Sequence, residues 1–421
     1  MSNKSTRALL SAMMFLQFFI WGAWYVTIGN FMTANSMASY VHWPYTVNPI
    51  AAIVSPFFLG LIADRYFATE KVLGVLHLLG GVVMLMVPQS TGNVVVFILL
   101  LALYNLCYMP TLGLVNTLAF HHIDDQEKQF PLIRVFGTLG WIVAGLFIGF
   151  VLSRFTNDLP DRTALPLYAT GGASLIMGVF SFFLPHTPPP GKGEKVSVRS
   201  IIGVDAFKAL QSRPFWVFLI SSFLICIPLA AYYAYAPVFA SSAIYEAGVQ
   251  NFFTMLLPNP SSLMTLGQMS EVLFMLVMPL FFVRLGVKWM LVAGMSAWVL
   301  RYALFALAAP ASIFWMIAVG ILLHGICYDF FFVTGQIYVD KKSTPAIRGQ
   351  AQGLLVLVTY GLGMFIGAQV AGWLNNSYRI GDQVLSASAW QSFWWVPTIF
   401  ACAVMLVFAF LFNDKVEKDE V

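Results

Sequence analysis

Four acidic or basic side chains in this sequence stand inside long apolar runs, where a charge at depth costs at least a few kcal/mol and is kept for a reason. Glu271 sits in L-G-Q-M-S-E-V, with Gln268 three residues earlier and so on the same helical face. An amide and a carboxyl one turn apart can hold a hydroxyl or amine donor, and the carboxyl can also carry a proton. Asp329 sits in H-G-I-C-Y-D-F-F-F, where His324 and Tyr328 lie one turn apart on one face. Arg301, in A-W-V-L-R-Y-A, needs a partner. An Asp329–Arg301 ion pair would make Asp329 a scaffold, whereas a proton relay would leave Asp329 unpaired for part of a cycle.

Arg134 follows Pro131 in F-P-L-I-R-V-F-G-T-L-G-W, with Thr138 at i+4 and Trp141 at i+7 on the same face. A guanidinium there could clamp a polar solute or anchor the helix end by snorkelling. Thr138 could donate a hydrogen bond to a ring stacked on Trp141, or both could simply pack.

The remaining chemistry-bearing clusters are thin. H-H-I-D-D (His121 to Asp125) has the residue types of a metal or acyltransferase site but no third ligand group and no nucleophile motif. Cys107, Cys226, Cys327 and Cys402 each stand alone in apolar sequence, without metal-ligand spacing. No Walker A loop is present, which removes ATP as a direct energy source. The expectation is a chain that is not an enzyme and carries no cofactor and no metal.

The elements that must hold these residues follow from composition. Of 421 residues, 59% are hydrophobic and 10% charged, and the mean hydropathy is +0.80, against about 25% charged residues in ordinary soluble domains. Apolar runs of spanning length fall near 8–34, 45–63, 71–89, 93–117, 131–153, 165–184, 214–242, 260–283, 287–308, 312–339, 346–374 and 389–412. They are continuous rather than alternating, so each must close its own backbone hydrogen bonds as a helix. The fold class is all-α: a polytopic membrane protein of twelve transmembrane helices. With the N-terminus inside, Arg154, Arg162 and Arg379 fall outside, Arg134 and Arg301 lie within spans, and every other Lys and Arg is cytoplasmic. Both termini are therefore expected in the cytoplasm. The partners expected are the lipid bilayer, a small-molecule substrate and protons. The net charge of +4 without a basic-aromatic stretch excludes nucleic acid, and a monomer is expected.

A linker rich in Pro, Gly and mixed charge at 186–213 divides the chain into six-helix halves at 1–185 and 214–421. The halves echo each other. P-L-I-R with G-L-F-I-G (Pro131 to Gly149) matches P-A-I-R with G-M-F-I-G (Pro345 to Gly367), and L-C-Y-M matches I-C-Y-D. Two pseudo-symmetric bundles would place a binding site near mid-depth between them, as in secondary transporters. G-L-I-A-D-R-Y puts Asp64 and Arg65 at cytoplasmic helix ends, and R-L-G-V-K puts Arg284 and Lys288 at the matching turn, as a gate latch or as ordinary cytoplasmic charge.

Twelve spans, the repeat, the central linker and the G-x-x-x-D-R turn resemble the major facilitator superfamily. More narrowly, Phe15 to Trp24, Tyr108 to Thr117, Phe130 to Gly140, Gln268 to Glu271, and Asp329 to Phe331 with Pro345 to Arg348 resemble the bacterial nucleoside:proton symporter family. The resemblance implies that Arg134, Thr138, Gln268, Glu271, Tyr328 and Asp329 line a nucleoside and proton site, with Trp141 at an aromatic position. It implies import by alternating access across the bacterial inner membrane, with Glu271 and Asp329 coupling the proton. The chain departs from the family on span seven, where Ala230 and Tyr233 replace amides, and on span ten, where His324 and Tyr328 replace a tyrosine and a phenylalanine. Tyr233, His324 and Tyr328 then set selectivity. Loss of two amides removes hydrogen-bonding capacity, so a sugar or another polyhydroxylated solute is the second substrate class, and an exporter would share the architecture.

Overall fold

The computed structural model describes residues 3–59, 66–189, 203–344 and 347–414. They form an all-helical protein with twelve membrane helices: α1 (Asn3–Tyr25), α2 (Pro44–Phe58), α3 (Thr69–Met86), α4 (Val94–His121), α5 (Gln126–Phe150), α6 (Leu165–Ser181), α7 (Arg213–Ala240), α8 (260–285), α9 (287–308), α10 (Phe314–Lys342), α11 (Arg348–Tyr378) and α12 (Ala387–Leu411). The break between α8 and α9 is made by Gly286, whose φ of 67° lies in the left-handed region that a side chain disfavours. Elsewhere the sequence supplies explicit starts. Asn93, Asp125, Ser212 and Ser386 each accept a backbone N–H in the first turn of the helix that follows.

Three spans are not regular throughout. Asp329–Val333 in α10 and Leu357–Gly363 in α11 are π-helical turns, and Ser241–Glu246 continues α7 as another, a device that inserts one residue into the ladder and re-aims the side chains beside it.

The chain divides into two compact units, one of Met1–Ser197 with Leu257–Thr265, the other of Val198–Leu256 with Leu266–Val421. The first turn of α8 thus groups with the first unit. Within that unit α1 packs on α5, and α3 on α6 and α4. Buried polar bonds tie these helices together. The Gln17 amide donates to Thr111 Oγ1 at 2.7 Å, and its Oε1 lies 2.9 Å from His77 Nε2. Because that oxygen only accepts, His77 carries its proton on Nε2. His77 Nδ1 then faces the Ser174 hydroxyl at 3.1 Å, so α1, α3, α4 and α6 share one network centred on a fully buried ring.

At the start of α3 the unit holds the beginning of the central linker. Glu70 accepts from His186 Nδ1 and from the Thr187 N–H, both at 2.9 Å. Linker residues 190–202 lie outside the described residues. Within the second unit α7 packs on α11 and α12, around a core of stacked and edge-on rings that includes Tyr232, Phe239, Tyr302, Phe305 and Trp394.

Candidate functional site

In the first unit the candidate residues lie along α5. Arg134 is half-buried and stacks its guanidinium 4.2 Å above the Phe18 ring of α1. It meets no carboxyl among the described residues, and its Nη1 lies over Gly137, 2.7 Å from where a Cβ there would sit. Thr138 and Trp141 follow on the same face. Trp141 is braced edge-on by Trp21 at 5.5 Å and lies 6.3 Å from Tyr25. Trp21 in turn touches Tyr108 at 6.0 Å, and the Tyr108 hydroxyl donates to the Gln17 carbonyl at 2.5 Å. The result is one guanidinium and one hydroxyl set beside an aromatic wall whose rings are fixed from behind. Phe18, Trp21, Tyr25 and Tyr108 belong to this wall, although sequence reasoning assigned them no role. The signal was present in the spacing, since Phe18, Trp21 and Tyr25 recur at i, i+3 and i+7 on α1.

In the second unit α8 and α10 bring the acids together. A Cβ on Gly267 would lie 3.2 Å from that of His324, and one on Gly325 would lie 2.5 Å from the Ser270 carbonyl oxygen. The Ser270 hydroxyl donates to the Leu322 carbonyl. This close crossing carries Gln268 and Glu271 beside the π-turn that starts at Asp329. The two carboxyl groups feel each other electrostatically. Asp329 is fully buried, and neither of its oxygens has a hydrogen-bond partner among the described residues. Gln268 Oε1 is buried and unpartnered as well.

Arg301 does not pair with Asp329. Its Nε donates to the Gly320 carbonyl at 2.9 Å and its Nη2 to the Ile321 carbonyl at 3.4 Å, while the guanidinium stacks 3.7 Å over the Tyr232 ring. Of the two arrangements that the sequence allows, the scaffold pair is therefore absent here. Tyr232 stacks on His324 at 5.7 Å, His324 lies 6.2 Å edge-on from Tyr233 and 5.8 Å from Tyr328, and the Tyr360 hydroxyl meets that of Tyr328 at 3.2 Å. Tyr232 and Tyr360 were not foreseen. Tyr360 sits in the π-turn of α11, which no helical periodicity reveals. Ala230 is fully buried against Gly367, where a Cβ on the glycine would come within 2.8 Å, so this position serves α7–α11 packing.

The gate candidates separate. Asp64 and Arg65 lie outside the described residues. Arg284 and Lys288 flank the Gly286 turn, with Lys288 Nζ 5.7 Å from the Trp289 ring and no acidic partner for either among the described residues. H-H-I-D-D resolves into structure: Asp125 caps α5 through the Lys128 N–H at 3.0 Å, and His122 Nε2 lies 2.8 Å from Thr187 Oγ1. Burial holds the His122 ring below the usual histidine range. No group of three or more metal-ligating side chains occurs among the described residues.

A fully buried aspartate beside a half-buried glutamate and an unpartnered amide oxygen suits binding of a polar solute and transfer of a proton. Known proteins share this whole frame. The chain is 38% identical to YegT of Escherichia coli (strain K12) over 97% of this chain and 94% of that protein. It is 31% identical to the nucleoside permease NupG of the same strain over 96% and 94%. The crystal structure of nucleoside transporter NupG matches with a TM-score of 0.85 at 29% identity, covering 99% of this chain and 100% of that one. Residues 4–417 match the family described as nucleoside H+ symporter, so this chain, a multi-pass membrane transporter, belongs to that family.

Proposed function

We propose that the protein imports nucleosides together with protons by alternating access across the bacterial inner membrane, as a monomer with both termini cytoplasmic. The halves 1–185 and 214–421 are the moving bundles. In this reading Arg134 and Thr138 hold the ribose or base edge, and Trp141 stacks the base. Gln268 and Glu271 bind the solute's hydroxyl and amine groups. Tyr233, His324 and Tyr328 set selectivity from the second unit.

The observation that carries the reading is the state of Asp329. It is buried beside Glu271, with no hydrogen-bond donor or cation of its own among the described residues. It therefore has no structural bond to lose when it takes or releases a proton. Glu271, one helix away, can couple that proton to the solute bound at Gln268. Transport is stoichiometrically tied to protons if neither carboxyl can ionise during the crossing without a bound partner.

The test is uptake of labelled uridine and adenosine into cells lacking their own nucleoside carriers, with and without a protonophore. Protonophore-sensitive accumulation is expected. A properly inserted protein that takes up neither nucleoside would move the assignment to a polyhydroxylated solute such as a sugar, the class favoured by Ala230 and Tyr233 standing where the family places amides.

A further inference from the structure

The helix that carries Gln268 and Glu271 is tied down at its first turn by a carboxyl group on another segment. Asp161 lies in the short turn Pro160–Arg162 of the α5–α6 connection and is fully buried. Its Oδ1 accepts from the Ser261 backbone N–H at 2.9 Å and from the Ser261 hydroxyl. Asp161 thereby satisfies one of the donors left open at the start of α8. The approach of α5 is close enough to need glycine. A Cβ at Gly145 would lie 2.8 Å from the Ser261 carbonyl oxygen, and one at Gly149 would lie 3.0 Å from Ser262 Cβ. Accordingly Leu257–Thr265 groups with the first unit, while α8 from Leu266 onward belongs to the second.

The two oxygens of this carboxyl are unlike. Oδ1 receives both Ser261 donors, while Oδ2 is buried and has no partner among the described residues. As a carboxylate, Asp161 would leave unsolvated charge on the Oδ2 side. As a carboxylic acid with its proton on Oδ2, it keeps Oδ1 as acceptor for both bonds. Burial pushes the Asp161 carboxyl up to about 6, against the opposing pull of the Ser261 bonds. No charged group offsets this from the elements packed on the turn. Ile28–Ala34, the end of α5 (145–150) and the start of α8 (260–265) contain no titratable side chain, and α6 brings Tyr168. On the connection itself Arg162 pairs with Asp158 at 3.8 Å, and Arg154 lies in the turn after α5.

We infer that Asp161 is a further proton-binding site, on the side opposite the termini, whose protonation favours the docked start of α8 and whose ionisation favours its release. The sign follows from linkage. A carboxyl that binds its proton more tightly when docked than when solvated makes docking more favourable as pH falls. With a docked value of about 6 and an ordinary value of 3.8, docking strengthens as pH falls from 6 toward 3.8 and is weakest above 6. Between pH 7.5 and 5 the docking equilibrium shifts by about tenfold. The proton-rich side of the membrane is then the side that draws the start of α8 in. The inference concerns Asp161 alone and holds whichever solute is carried.

Thr265→Cys places a reporter thiol one turn into α8, at a position only 2% exposed. The full-length protein in right-side-out membrane vesicles is treated with a charged, membrane-impermeant thiol reagent at external pH 5 to 7.5. Rates are divided by those of the same chain unfolded in detergent, which removes the thiol's own ionisation, and the parent chain gives the background. The corrected rate is expected to rise about tenfold from pH 5 to 7.5, with its midpoint near 6. In an Asp161→Asn background, where the acceptor oxygen is kept and ionisation is impossible, the rate is expected to stay low at every pH. A flat profile with Asp161 present, or the same pH dependence in both backgrounds, overturns the inference. Ser262→Cys is the second reporter should Thr265→Cys not reach the membrane.

Discussion

The guanidinium of Arg301 rests 3.7 Å from the centroid of the Tyr232 ring, with its Nε–H on the Gly320 carbonyl, and leaves Asp329 without a counter-ion among the described residues. The basic group belongs to the frame of the second unit and the acid does not. Asp329→Asn is expected to melt in detergent within a few degrees of the parent while losing uphill accumulation. Arg301→Lys should behave in the opposite way. An ammonium cannot reproduce the flat stack or both carbonyl bonds, and a loss of about 1–3 kcal/mol is expected, read as a lower melting temperature. A strongly destabilised Asp329→Asn would restore the ion-pair reading.

Glu271 bears on coupling more than on binding. Glu271→Gln keeps the size and hydrogen-bonding capacity of the side chain but cannot release a proton. The variant is expected to insert normally, to exchange labelled for unlabelled nucleoside, and to fail at concentrative uptake. Normal concentrative uptake would remove Glu271 from the mechanism.

Trp141 is expected to act on affinity. Its ring is held by Trp21 at 5.5 Å, so it is presented rather than free to rotate. Base stacking on an aromatic side chain is worth about 1–3 kcal/mol, so Trp141→Ala should raise KM by about tenfold or more with little change in maximal rate. Trp141→Phe should recover most of the affinity. Uptake kinetics on both variants separate this from simple loss of fold.

His77 tests the frame of the first unit. His77→Leu leaves the Gln17 amide oxygen buried without its donor and the Ser174 hydroxyl without its ring partner. An unsatisfied buried polar group costs about 1–3 kcal/mol. Thermal unfolding in detergent should show the loss, and an unchanged melting temperature would mean that the network tying α1, α3, α4 and α6 does not hold them.

Hydropathy was enough to read the spanning helices, because each must pay its backbone hydrogen bonds internally and so announces itself as one continuous apolar run. Glu271, Gln268 and Asp329 stand out in the sequence for the related reason that polar groups at such depth are rare. What the sequence hid depends on three-dimensional choice. Arg301 had an acid available on a neighbouring span and took two carbonyls and a ring instead, which depends on how α9 meets α10. The π-turns that start at Asp329 and contain Tyr360 are a choice of backbone hydrogen bonding that no side-chain periodicity records. H-H-I-D-D has the residue types of a metal or acyltransferase site, yet a carboxylate before Q-E-K is also an N-cap signal, and the helix uses Asp125 as one. Asp161 drew no attention in the sequence because burial of a connection cannot be seen in its composition.

The most direct measurement is of proton movement itself. Purified protein in vesicles loaded with a pH-sensitive dye is given external uridine at zero membrane potential, and the Glu271→Gln variant is treated in parallel. Acidification of the interior on uridine addition, absent in the variant, is the result expected of a nucleoside–proton symporter built around Glu271 and Asp329. Uridine entry at the same rate in both, with no change in internal pH, would contradict it.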